Sequence, residues 1–198
     1  DFLLLAVPKD TEILYDGQVE PGSPQSREFS GDILMSGRHL LQLINDILDL
    51  SKVEAGRMEF RPEIVDVRNV IREVCGILRT VAAERRIPVD VDVSSGLDAT
   101  LDPARLKQVL YNYLSNALKF TPENGRVTVR ARAEGTDRLR LEVQDTGLGI
   151  AAADIPRLFT DFVQVDPPAA RKLGGSGLGL ALTKKLVQAQ GGTVGVTS

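Results

Sequence analysis

The chain has 198 residues, enough for one full domain and a smaller appendage, and its 42% apolar and 26% charged content is ordinary for a globular protein. A net charge of −3 leaves no basic field to recruit nucleic acid or anionic lipid. The single cysteine, Cys75, excludes an internal disulfide, and the longest apolar run, residues 2–7, is too short to cross a bilayer.

In chain order, the first clear break is the turn-rich Pro21-Gly22-Ser23-Pro24. The periodicity after it predicts a long helix over residues 26–55. Phe29, Ile33, Ser36, Leu40, Leu43, Ile47 and Leu50 are spaced 4, 3, 4, 3, 4, 3, which is a heptad seam. Leu34, Leu41, Ile44 and Leu48 widen the apolar arc to the breadth of a helix in a four-helix bundle. One such helix cannot build a bundle alone. A homodimer through helix 26–55 is therefore expected, the alternative being that this face packs on the rest of the chain. The only histidine, His39, falls at a g position on the polar side. No acidic residue stands three or four positions from it to accept a proton, so it reads as a solvated surface histidine.

From Arg61 onward the pattern changes. An amphipathic helix is predicted over 66–86, with Cys75 as a small core residue. An alternating strand follows over 87–93. A helix over 101–120 carries Asp102 as N-cap and Pro103 at its first turn. Two alternating strands, 125–133 and 138–145, form a hairpin. Then come a short helix near 154–162, a loop over 163–176, a helix over 177–190 and a final strand over 192–198. The expected fold class is α+β: a two-layer sandwich with helices on one face of a mixed sheet over 61–198, preceded by a helical segment over 1–60.

Three clusters point to a nucleotide. Asn112, Asn116 and Lys119 lie at i, i+4 and i+7, on one helix face. Asparagine is a poor helix former, so the pair suits an amide oxygen for Mg²⁺ beside a lysine for phosphates, or else buried hydrogen-bond fillers. Asp145 opens "DTGLGI" straight after a strand, where its carboxylate can accept from an exocyclic amine. Gly147 and Gly149 there let backbone approach a flat ring. In "GGSGLGLAL", residues 174–182, glycines run into a helix N-terminus, a setting that favours phosphate oxygens. The glycine run lacks the Lys-Ser/Thr ending of a Walker A loop. A dinucleotide fold is disfavoured because the helix after "GLGIAA" is short and interrupted by Pro156.

Together, "RLKQVLYNYLSNALKFTPENGRV", "LEVQDTGLGI", "RLFTDFVQVD" and "RKLGGSGLGLALTKKLVQAQGGTVGV" resemble the N, G1, F and G2 boxes of sensor histidine kinases. "LINDILDLSKVEAGRMEF" resembles the end of that family's second dimerisation helix. The resemblance implies a Bergerat-type ATP-binding domain using ATP and Mg²⁺ in two-component phosphorelay signalling. It implies that Asn116 coordinates Mg²⁺ with support from Asn112, and that Lys119 and Arg171 reach phosphates. Asp145 would recognise the adenine amine, Gly147, Gly149 and Ile150 would shape the pocket, and Phe120 would lie beside the nucleotide. Gly175, Ser176, Gly177, Leu178 and Gly179 would close over the phosphates, within an ATP lid over 163–176 hinged by Phe159 and Phe162. Asn112 stands where hydrolytic, gyrase-type relatives carry a glutamate base. The implied partner is a response regulator receiver domain, and the implied location is cytoplasmic, as a whole or as part of a membrane-bound or hybrid sensor. "DFLLLAVPKD" stands where the family carries its phosphoacceptor histidine box and holds no histidine, so no acceptor is identified. A degenerate kinase, acting as a dimeric ATP-binding regulatory module, is the alternative.

Overall fold

The computed structural model describes residues 2–135, 137–161, 163 and 177–198. Helices α1 (Phe2–Tyr15) and α2 (Pro24–Glu54) pack as a hairpin. Ser23 caps α2 by accepting from the Ser26 amide at 3.1 Å, with Pro24 pre-set in the first turn. The heptad seam of α2 divides. Ser36 and Leu50 are buried and Phe29, Ile33 and Leu43 half-buried, whereas Leu40 and Ile47 are exposed beside Leu34, Leu41, Ile44 and Leu48. One edge of the apolar arc thus packs within the chain and the other faces outward.

The remaining elements are β1 (Glu63–Asp66), α3 (Val67–Ile77), α4 (Arg79–Glu84), β2 (Val89–Val93), β3 (Asp98–Leu101), α5 (Pro103–Phe120), β4 (Val127–Glu134), β5 (Arg138–Asp145), a 3₁₀ turn (Ile155–Arg157) and α6 (Gly179–Ala189). The sheet is mixed: in the order β2-β4-β5, β2 runs parallel to β4 and β4 antiparallel to β5. Val127, Val129 and Ala131 of β4 are completely buried against α3 and α5, in one core with Val70, Ile71, Val74, Leu110, Leu114 and Leu118. The alternate residues carry charge. Arg132 pairs with Asp92 at 2.6 Å, Arg126 with Asp90, and Arg140 with Glu142 at 2.7 Å. That ionic face leaves the helices on one side only, and the expected α+β two-layer class holds.

Asp102 anchors α5. Its Oδ1 accepts from the Ala104 and Arg105 amides at 2.9 and 3.1 Å, and its Oδ2 from the Arg61 amide at 2.9 Å. Burial alone would raise the carboxyl's pKa, but those three N–H groups and the Arg105 charge outweigh it and hold it below the usual carboxylate range.

Several expectations change. The helix over 66–86 is two helices meeting at Leu78, just after the weak helix former Gly76. The antiparallel pair of β1 and β3 had no expectation: each is four residues long, too short to display alternation. The helix near 154–162 is only the 3₁₀ turn. Residues 192–198 form no strand: Gly191, at φ +77°, and Gly192, whose amide donates to Val187 O at 2.9 Å, are spent in ending α6. Among the described residues, no helix is long and apolar enough to cross a membrane.

A second cluster joins α2 to the sandwich. Leu50 packs with Val109 of α5 and Leu178, Leu182 and Leu186 at α6, with Val53, Met58 and Phe60 at its margin. Polar contacts rim it. Asp49 accepts from Arg105 at 3.0 Å and Gln108 at 3.1 Å, and Lys185 reaches Glu54 and, at 3.1 Å, Asp161.

Candidate functional site

The site grows from one face of α5. Asn112, Asn116 and Lys119 are half-buried there, and Leu114 and Leu118 point the opposite way into the core. The Asn112 side-chain nitrogen donates to Gly179 O at 3.1 Å and to Thr183 Oγ1 at 3.2 Å, tying α5 to the first turn of α6. No hydrogen bond of the Asn116 amide is found among the described residues. Lys119 Nζ lies 5.0 Å from the centroid of the Phe120 ring. Arg85 holds the C-terminal end of the helix, donating to Leu118 O and, at 2.7 Å, to Lys119 O.

The loop after β5 is locked to that same end. Asp145 is exposed, and its Oδ1 accepts from the Gly147 amide at 2.8 Å. The Leu148 amide donates to Phe120 O at 3.3 Å. A Cβ on Gly147 would stand 2.7 Å from Phe120 O and 2.5 Å from Asp145 Oδ1, so only glycine fits between strand end and helix end. Gly149 takes φ +69°, and the Ile150 amide donates to Ser198 Oγ at 2.7 Å. Gly177 has φ +70°, Leu178 is buried, and Gly179 opens α6, whose N-terminus no side chain among the described residues caps. The amides and the dipole of a helix N-terminus suit an anion.

Residues 101–198 match the family of Histidine kinase-, DNA gyrase B-, and HSP90-like ATPases. The mycobacterial sensor histidine kinase MprB is 32% identical, with a TM-score of 0.55, over 66% of this chain and 81% of that one. This chain belongs to the sensor histidine kinases. ShkA, solved full-length in complex with AMPPNP, is 34% identical with a TM-score of 0.76, over 99% of this chain and 40% of that one. The circadian input-output histidine kinase CikA of Synechococcus elongatus is 41% identical over 181 residues, 90% of this chain and 24% of CikA. The chain spans about a quarter of the length of such curated relatives.

Within this member of the sensor histidine kinase family, Asn112, Asn116, Lys119, Phe120, Asp145, Gly147, Gly149, Ile150, Gly177, Leu178 and Gly179 belong to three segments: α5, the loop after β5 and the start of α6. The α5 face touches both of the others, through Asn112 to α6 and through Phe120 to the loop. Arg171, Gly175 and Ser176, with Phe162 and the expected lid beyond Val163, lie outside the described residues. Among the described residues no group of three or more His, Cys, Asp or Glu is placed to hold a metal. Hard cations take oxygen ligands, and the amide oxygen of an asparagine such as Asn116 is one that α5 offers. A cavity of about 370 Å³ lined by Cys75, Ile87, Val89, Leu114 and Leu118 lies on the other side of α5. Burial pushes the Cys75 thiol up, away from the reactive thiolate, in keeping with a core role. Sequence reasoning missed Thr183 and Arg85, which read as ordinary helical residues because the groups they bond are distant in sequence.

Proposed function

We propose that this chain is the catalytic core of a sensor histidine kinase: it binds Mg-ATP between α5, the loop after β5 and the start of α6, and transfers the γ-phosphoryl group to a histidine. The observation that carries this is the convergence of the asparagine-lysine face, the Asp145–Gly147–Phe120 lock and the α6 N-terminus. The similarity to ShkA, solved with AMPPNP, supports it. Asp145 receives the adenine amine against Gly147, Gly149 and Ile150, with Phe120 alongside. Lys119 and Arg171 meet the phosphates, and Gly175 to Gly179 close over them. Asn116 offers its amide oxygen to Mg²⁺, and Asn112 supports it. Bound there, Mg²⁺ would neutralise charge developing on the phosphates. An imidazole nitrogen of the acceptor attacks the γ-phosphorus, the bond to the β–γ bridging oxygen breaks, ADP leaves, and the ring proton passes to a base. An aspartate on a response regulator receiver domain then takes the phosphoryl group, in the cytoplasm.

The domain division is part of this reading: residues 1–60 form the dimerisation hairpin and 61–198 the ATP-binding domain. The outward stripe of α2, with Leu34 54%, Leu41 58% and Leu48 51% exposed, supports a homodimer, because that much apolar side chain seeks cover.

The only histidine favours a second reading, a regulatory module that binds ATP without phosphorylating itself. His39 is half-buried on α2, and the acid that senses its charge, Asp46, stands two turns away with its own pKa raised by burial. The test supplies γ-³²P-ATP and Mg²⁺ to wild type and to His39→Ala, with and without an added helical hairpin that carries a histidine box of the sensor histidine kinase type. The expected result is acid-labile label on the added hairpin and none on either chain. Label on wild type but not on His39→Ala would make His39 the acceptor. No label anywhere, with ATP binding intact, would leave the regulatory module.

A further inference from the structure

We infer that Thr183 is a positioning residue of the nucleotide site, one that holds the Asn112 amide firmly in the orientation that Gly179 O dictates. This rests on the nucleotide-binding reading above. An asparagine amide turns easily about its last torsion and presents either oxygen or nitrogen to a ligand. Here the nitrogen end is held twice, by Gly179 O at 3.1 Å and by Thr183 Oγ1 at 3.2 Å. A carbonyl can only accept, so the nitrogen must face α6 and the oxygen is left to the other side. Gly179 and Thr183 are four residues apart and share one face of α6, which makes them a matched pair of acceptors one turn apart. Thr183 has no exposed surface, and its neighbours on α6 include the buried Leu182 and Leu186. A buried hydroxyl among leucines costs stability unless it is bonded, and the bond it makes is to Asn112.

The consequence is specific. With the hydroxyl gone, the Asn112 nitrogen keeps only its bond to Gly179 O, the amide is held less firmly, and its oxygen supports the cation site less well. Adenine and phosphate contacts remain, so the loss appears only when Mg²⁺ is present. The test titrates ATP into wild type, Thr183→Val and Thr183→Ser, each with Mg²⁺ and with EDTA. Valine keeps the shape and drops the hydroxyl; serine keeps the hydroxyl. Thr183→Val should bind Mg-ATP about tenfold more weakly, a change of about 1.4 kcal/mol. It should bind Mg-free ATP within about twofold of wild type, and Thr183→Ser should recover most of the Mg-ATP affinity. Equal Mg-ATP binding by wild type and Thr183→Val would overturn the inference. So would an equal loss with and without Mg²⁺, the mark of a merely structural residue. Failure of wild type itself to bind Mg-ATP would overturn the nucleotide reading first, and this inference with it.

Discussion

Replacing Gly147 by alanine will abolish nucleotide binding while leaving most of the fold in place. The added methyl would sit 2.5 Å from Asp145 Oδ1, 2.7 Å from Phe120 O and 3.1 Å from Phe120 C. The Phe120 backbone cannot easily retreat. It is the last residue of α5, and the turn around it is held by Thr121, whose amide and hydroxyl both donate to Ala117 O, at 3.0 and 2.6 Å. Arg85 pins the two preceding carbonyls. The loop must therefore lift, breaking the Leu148–Phe120 and Gly147–Asp145 hydrogen bonds and turning the Asp145 carboxylate away from its place. ATP affinity should fall at least about 100-fold, roughly 2.8 kcal/mol, in an equilibrium titration. The circular dichroism spectrum should stay close to wild type. Unchanged affinity would mean that the loop after β5 does not line the nucleotide site.

A large loss of stability is expected from Leu182→Ala. Leu182 has no exposed surface and sits in the cluster shared by α2, α5 and α6. Removing three carbons there forfeits their transfer free energy and leaves a cavity, together about 2–5 kcal/mol. For a chain of this length that lowers the melting temperature by roughly 10 °C. The cluster holds the end of α2 against the start of α6, so the same change should also expose Leu50 and loosen the polar rim at Asp49 and Lys185. Thermal unfolding checks this, and a shift below about 2 °C would show that α2 is not packed tightly on the sandwich.

Much of this was legible in the sequence, because the signals were local. Asp102-Pro103 marked the start of α5, the alternation of 125–145 gave β4 and β5, and the two asparagines four apart announced a polar face on an otherwise apolar helix. What was not legible depended on long-range pairing. The β1 and β3 strands exist because Glu63–Asp66 meets Asp98–Leu101, and neither segment says so alone. A wide apolar stripe on α2 could not reveal which edge would pack on α6 and which would face outward. The charge of His39 reaches Asp46, two turns further along α2, a spacing beyond the helical neighbours at three and four positions. Thr183 was invisible for a similar reason: its meaning lies in Asn112, 71 residues earlier.

The most direct measurement is an equilibrium titration of wild type and Asp145→Ala with ATP and GTP in Mg²⁺. Asp145 offers only acceptors, which suits the amine of adenine and repels the carbonyl oxygen that guanine presents at the same position. Binding of ATP but not GTP by wild type, lost in Asp145→Ala, is the expected result. Equal ATP binding by the two proteins would place the nucleotide elsewhere and contradict the site described above.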